Sequence, residues 1–383
     1  MGILRLLLAL SVVISHIGGI GSFVFLGAEA AVQLFFVISG FYMGLILSEK
    51  YDRPSLNRQF YLNRALRIFS LYYLYLALAF FIYLGALLLL HNSPLTIYNE
   101  LGLPTGLLAV IALPNLTVIG LDILLFLKAQ GGVLDFTDQA LGHPPEVYRV
   151  SLLPPAWSLS LELMFYLIAP FVLRRSSLVI LSVLACSLAL RSAAAVFGVV
   201  DGLWSYRFFP FELAWFLLGA LAYRGYAAKR AFFESVAARP LAISALTLPI
   251  LFALLIDVPA QEGHFFWSRA LLLLSVAALL PALHGQSCKS TWDRIIGEYS
   301  YPVYLGHYLI VLIMAQSPFI VAHRWLMLTT VLAPTFALAW LAIRLVDRPL
   351  NRLRQGWAVR AGANPHGMTE PLRSVRLSDR AVG

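Results

Sequence analysis

Arg5 and His16 are the only ionisable residues of an otherwise apolar run. Eleven steps of ~100° make three turns plus ~20°, so a helix puts both on one face, ~16 Å apart along its axis. A neutral imidazole, with an ordinary pKa of ~6.5, can take the proton of a hydroxyl as that hydroxyl attacks a carbonyl. An ionisable side chain set this deep in an apolar segment is costly unless it faces a polar cavity, which marks His16 as a functional candidate. The structural alternative is a packing histidine bonded to a neighbouring helix.

Other polar residues recur at helical spacing inside apolar runs. Ser158, Glu162 and Tyr166 repeat every four residues and form one stripe, and the carboxylate needs a partner or a wet cavity. Trp157 beside them suits an aromatic belt. Ser300, Tyr304 and His307 form a second stripe, in which His307 could orient a helix or accept a substrate hydrogen bond. Arg64 and Arg67, three residues apart, share a face and can fork onto one phosphate group, or anchor the helix end among lipid phosphates. Ser39 and Gly40 are small enough to admit another backbone. Glu29 suits the external boundary, where a carboxylate costs little. Asp347-Arg348-Pro349 suits a helix end.

The elements that must carry these residues follow from composition. The chain is 60% hydrophobic and 12% charged over 383 residues, which places it among polytopic membrane proteins. The apolar runs lack the short alternation of a barrel, so the predicted fold is all-α. About ten spans are expected: 3–24, 30–48, 69–90, 155–173, 177–198, 207–226, 240–257, 265–284, 298–317 and 324–345. Segment 104–127 is apolar but carries Pro104, Pro114 and Asn115, and reads as re-entrant or broken. Residues 128–154 read as a polar external loop. The net charge of +9 sits in clusters between apolar runs, which makes it a topology signal rather than a nucleic-acid footprint. Lys50, Arg53, Arg58, Arg64 and Arg67 place one connection inside and Arg224, Lys229, Arg230 and Arg239 another, so both termini are expected in the cytoplasm. Residues 1–349 form the expected membrane domain and 350–383 a disordered basic cytoplasmic tail. Cys186 and Cys288 make neither a disulfide framework nor a zinc site, and no metal is expected. A basic start, an apolar core and Ala28-Glu29-Ala30 also resemble a cleavable secretory signal, but the apolar stretch from Ile3 is long enough to span.

In order along the chain, Arg-x10-His (Arg5, His16), Phe-Phe-Val-Ile-Ser-Gly-Phe (35–41), Arg-x-x-Arg-Ile (64–68), Trp-Ser-Leu-x-x-Glu with Phe-Tyr (157–166) and Ser-Tyr-x-x-Tyr-Leu-x-His (300–307) resemble the acyltransferase-3 family of bacterial integral-membrane O-acyltransferases. The resemblance covers most of residues 1–350 and is to the stand-alone membrane form. It implies transfer of an acyl group, usually acetyl, from cytoplasmic acyl-CoA to a hydroxyl of a carbohydrate, glycolipid or similar acceptor at or across the bacterial inner membrane. It also implies that His16 and Arg5 are essential and that Arg64 and Arg67 belong to the donor-binding region. No permanently bound cofactor is implied; acyl-CoA is a co-substrate. Ser70, Ala31, Gln33 and Asp347 depart from the family pattern and bear on acceptor details.

With that chemistry, His16 is the expected general base and Glu162 or an interfacial carboxylate the candidate to orient it. Arg5 would meet the donor's phosphates or pantetheine entrance, and Arg64 and Arg67 would hold its nucleotide end. Ser39, Trp157, Ser158, Tyr166, Tyr304 and His307 are the candidate acceptor or cavity residues. Direct transfer is favoured over a covalent intermediate, because neither cysteine lies in a recognised motif. Two competitors remain. Intramembrane Glu162, His16 and His307 could form the proton relay of a transporter or flippase, and a regulatory membrane protein would bind acyl-CoA without turnover.

Overall fold

The computed structural model describes residues 1–19, 25–137, 142, 144–197, 204–237, 264–288 and 290–353. The expected span 240–257 and the tail beyond Leu353 lie outside the described residues. Six of the described helices are long and apolar enough to cross a membrane, and two shorter apolar segments accompany them. Phe81, Phe171, Leu178 and Trp325 are exposed, which suits a surface solvated by lipid. The chain is an α-helical membrane protein.

Helix α1 (Gly2–His16) is shorter than the expected span 3–24, for a local reason. Gly18 takes a φ of 80°, the Gly18 N–H bonds the Ser15 carbonyl at 3.1 Å and the Gly19 N–H bonds the Ile14 carbonyl at 2.9 Å. This pair of bonds closes a helix with a left-handed glycine, so His16 is the last helical residue. Fifteen residues rise only ~22 Å, short of the ~30 Å hydrocarbon core.

Helices α2 (Ala28–Glu49) and α3 (Asn57–Leu90) follow. With 34 residues, α3 runs ~50 Å, more than a bilayer core needs. Its start at Asn57 rather than near 69 carries Arg64 and Arg67 within the helix, not ahead of it.

The apolar segment after α3 is broken, as its prolines predict. Helix α4 (Thr105–Ala112) gives way to a single turn at Pro114–Thr117, after which Val118 has a φ of 66°. The Asn115 amide donates to the Ala112 and Val150 carbonyls and its oxygen accepts the Leu152 N–H, so the break is stitched to residues 150–152. The expected polar loop contains a hairpin. Strand β1 (Leu127–Gln130) pairs antiparallel with β2 (Val133–Phe136) across Gly131-Gly132, both with positive φ as a two-residue hairpin turn requires.

Helices α5 (Trp157–Val172), α6 (Ser177–Val196), α7 (Phe209–Ala228), α8 (Arg230–Ala237), α9 (His264–Ser287), α10 (Thr291–Glu298), α11 (Ser300–Met314) and α12 (Arg324–Ala342) complete the bundle. The helical chain continues through a π turn to Leu353, past the expected domain end at 349. Small residues set the closest approach. A Cβ on Gly40 of α2 would overlap the Phe216 carbonyl, and one on Gly219 of α7 would overlap the Val37 carbonyl. Backbone meets backbone here, as small residues permit between membrane helices. Beside this seam Gln33 donates to both oxygens of Glu212 at 2.9 and 3.1 Å, and Arg191 donates to one at 3.0 Å. The Glu212 carboxylate, 0% exposed, is thus paired, as a buried charge must be. Glu29 meets Arg269 at 2.8 Å.

Asp293 of α10 holds the start of α1. Its carboxylate accepts the Gly2 N–H at 2.6 Å, the Ile3 N–H at 3.0 Å and the Met1 amino group at 2.7 Å. Burial alone would raise this carboxyl, but the Ile3 and Gly2 N–H groups and the amino group hold it below the usual carboxylate range.

Candidate functional site

A half-enclosed cavity of about 340 Å3 opens between α1, α2, α3, α5, α10 and α11. The spaced pairs and stripes of α3 and α5 reach it whole, and those of α1 and α11 reach it without their histidines. Arg5 arrives from α1, Ser39 and Tyr42 from α2, and Arg64 and Arg67 from one face of α3. The four-residue repeat of α5 brings Ser158, Glu162 and Tyr166 together, and α11 adds Ser300, Tyr301 and Tyr304. Arg294 of α10 completes the wall. Arg294 belongs to no spaced pair or stripe in the sequence. The available signal was its place in a basic connection just ahead of Ser300.

The cavity therefore holds four guanidinium groups and one carboxylate, an excess of three positive charges. Among the described residues none of Arg5, Arg64, Arg67 and Arg294 has a side-chain hydrogen bond or ion pair with a carboxylate. Arg64 is 8% exposed and its Nε lacks a hydrogen-bond partner. Donors left open on a wet face attract polyanions, and guanidinium forks match phosphate oxygens two at a time.

Glu162 is engaged on the cavity wall. The Ser39 hydroxyl donates to it at 2.7 Å, the Tyr166 hydroxyl also donates to it, and Ser39 and Tyr166 lie 3.2 Å apart. The expected orientation of His16 by Glu162 is not made in this structure, where the bonds of Glu162 run to Ser39 and Tyr166. Higher in the cavity the Tyr304 hydroxyl donates to the Pro155 carbonyl at 2.9 Å and lies 2.7 Å from the Ser158 oxygen. The Tyr301 hydroxyl donates to the Ile68 carbonyl at 2.9 Å, bracing α11 against α3.

Trp157, His16 and His307 do not line the cavity. One residue along a helix turns ~100°, so Trp157 faces away from the stripe of its neighbour Ser158. Its ring meets Tyr206 edge-on at 5.6 Å, with the Arg207 guanidinium 5.0 Å above it. His16 is exposed at the end of α1, and its Nδ1 lies 2.7 Å from Nε2 of His307, which is fully buried. The His307 ring is turned toward α1, and its Nδ1 faces the Tyr304 carbonyl at 2.8 Å and the Val303 carbonyl at 3.2 Å. Among the described residues no group of three or more His, Cys, Asp or Glu gathers as metal ligands.

The family model described as an acyltransferase domain matches residues 1–344. No curated protein and no solved structure matches the chain. The protein belongs to this acyltransferase-3 family, and with its long apolar helices it is a membrane acyltransferase.

Proposed function

From that membership and the cavity's charge, we propose that the protein transfers an acyl group, acetyl by the resemblance, from acyl-CoA to a hydroxyl of a carbohydrate or glycolipid. The observation that carries the proposal is the cavity with four guanidiniums facing one carboxylate. CoA is a polyanion at its nucleotide end and carries its reacting carbonyl at the end of a long, uncharged pantetheine arm. In this reading Arg5, Arg64, Arg67 and Arg294 hold the phosphates, and the arm runs past Ser39, Tyr166, Ser158 and Tyr304. The arginines then mark the cytoplasmic face of a bacterial inner membrane. Arg5 and His16 are ~16 Å apart along α1, so a phosphate site and a base at opposite ends of one helix suit a long donor.

His16 is the general base. An imidazole nitrogen takes the acceptor's hydroxyl proton while its oxygen attacks the thioester carbonyl. The carbon–sulfur bond breaks as the new ester forms, and the CoA thiolate leaves, to be protonated to the free thiol. Glu162, tied to Ser39 and Tyr166, supplies the countercharge that keeps the empty cavity from being wholly cationic. Trp157 and the neighbouring Arg207 lie off the cavity and suit the acceptor's approach.

The test uses purified protein in nanodiscs, labelled acetyl-CoA and a glycan or glycolipid extract, with CoA release and labelled ester as readouts. Turnover by the wild type and a fall of roughly 10²–10⁴-fold in His16→Ala is the expected result, the usual contribution of general-base catalysis. Movement of the acceptor across the bilayer without CoA release would replace the proposal by transport. Mass spectrometry of surface glycans and lipids from cells with and without the chain identifies the acceptor.

A further inference from the structure

We infer that His307 is a positioning residue that fixes the tautomer of His16, leaving Nε2 of His16 as the basic nitrogen. The inference rests on the reading of His16 as the base. It is carried by the hydrogen-bond geometry of two rings 291 residues apart in sequence.

The chain of donors begins at the backbone. Nδ1 of His307 faces only carbonyl oxygens, those of Tyr304 at 2.8 Å and Val303 at 3.2 Å. A carbonyl accepts and cannot donate, so this Nδ1 carries a hydrogen. A second hydrogen on Nε2 would make the ring a cation. His307 is 0% exposed, and among the described residues no carboxylate forms an ion pair with it, so that form would be an unpaired charge between apolar helices. Nε2 of His307 is therefore a bare acceptor. The group facing it is Nδ1 of His16 at 2.7 Å, which must then be the donor. A neutral ring with its hydrogen on Nδ1 has its lone pair on Nε2.

The ring geometry agrees. The two planes differ by 12° and the centroids are 5.0 Å apart. Two imidazoles joined nitrogen to nitrogen at 2.7 Å reach that separation only when they lie edge to edge in nearly one plane, the arrangement of a directed hydrogen bond rather than a face-to-face stack. Tyr308 closes one side, edge-on to His16 at 5.7 Å. His16 is exposed at the end of α1, and in this reading its Nε2 meets the acceptor hydroxyl.

During transfer Nε2 of His16 gains the hydroxyl proton and the ring becomes a cation. Its Nδ1–H remains bonded to Nε2 of His307, which accepts without taking the proton. This is the logic of a base held by a third group. The third group here is a neutral imidazole anchored on a helix carbonyl. The wrong tautomer of His16 would point a hydrogen at the acceptor and could not act as the base.

The experiment compares His307→Phe, which fills the space but accepts nothing, with His307→Gln, whose amide oxygen can accept from Nδ1 of His16 while its NH2 group faces the carbonyls. Full-length protein in nanodiscs is assayed with acetyl-CoA and an acceptor extract. The expected result is a kcat lowered roughly 10²-fold or more in His307→Phe with the acetyl-CoA KM within about twofold of wild type, and recovery to within about tenfold in His307→Gln. Equal impairment of both variants with a raised KM would mean that the ring only packs, and an unaltered His307→Phe would overturn the inference outright. A second measurement does not depend on turnover or on the variants folding. Nitrogen-15 spectra of histidine-labelled wild type should show His16 and His307 as neutral rings with hydrogen on Nδ1, and a His16 ring carrying its hydrogen on Nε2 would overturn the assignment. A wild type that releases no CoA would remove the base reading and the catalytic role of His307 with it, while the spectra still decide the tautomer.

Discussion

Replacing Arg64 by methionine should move ligand affinity and stability in opposite directions. Arg64 is 8% exposed, its Nε has no hydrogen-bond partner, and no carboxylate pairs with it among the described residues. Removing an unpaired buried cation and keeping an unbranched apolar stem should leave the empty protein as stable as before, or more stable by ~1 kcal/mol. The gain is set at the low end because the guanidinium faces a wet cavity rather than a dry core. Loss of one charge-assisted contact to a phosphate should cost ~1.5–3 kcal/mol of CoA binding. At ~1.4 kcal/mol per factor of ten, that is roughly 10–150-fold weaker affinity. Arg64→Lys keeps the charge but loses the fork, and should fall between the two. The assay is a thermal melt in nanodiscs with and without CoA. A ligand present at 100 times its dissociation constant stabilises by ~2.7 kcal/mol, which Arg64→Met should cut to ~0.3–1.4 kcal/mol at the same CoA concentration while its CoA-free melt holds or rises. Added salt should weaken CoA binding more in wild type than in the variant. A variant that melts earlier when empty and still binds CoA as tightly as wild type would refute both the unpaired-charge and the phosphate assignments.

Three further substitutions test the fold. Gly219→Ala sets a methyl against the Val37 carbonyl and should destabilise by ~1–3 kcal/mol, whereas Gly225→Ala on the same helix meets nothing within 4 Å and should be neutral or stabilising by up to ~1 kcal/mol; paired melts read the difference. Asp293→Ala removes the cap of α1 and should cost ~0.5–2 kcal/mol at pH 7. The folded protein holds the Asp293 carboxyl below its ordinary value of ~3.9, so this stabilisation is fully present above that pH and is lost as pH falls through the lower folded value. The gap between variant and wild type should close below about pH 4, and a gap unchanged at pH 3 would count against the cap.

Much of the site was legible because spacing on a helix is a local property. Ser158, Glu162 and Tyr166 face one cavity since four residues return nearly to the same side, and Arg64 and Arg67 do so since three residues nearly do. Pro104 and Pro114 announced the break in the apolar segment, and Gly131-Gly132 could have announced the hairpin as well as the loop. Gly18-Gly19 likewise carried the signal that α1 ends at His16, which apolarity alone extended to 24.

The partners were not legible. Nothing in the order of residues says that the carboxylate of Glu162 bonds Ser39 and Tyr166 rather than orienting His16, that Arg294 joins the other arginines, or that Glu212 answers Gln33 from 179 residues away. By itself the sequence determined an α-helical membrane fold with its polar residues in face-sharing stripes, because hydrophobicity and helical period act over neighbouring residues; the acyltransferase reading rested instead on the resemblance of its motifs to a family. Only the tertiary structure decided which stripe meets which. That choice depends on where small residues such as Gly40 and Gly219 let backbones touch, and on which buried polar groups end within hydrogen-bond reach, as His16 and His307 do.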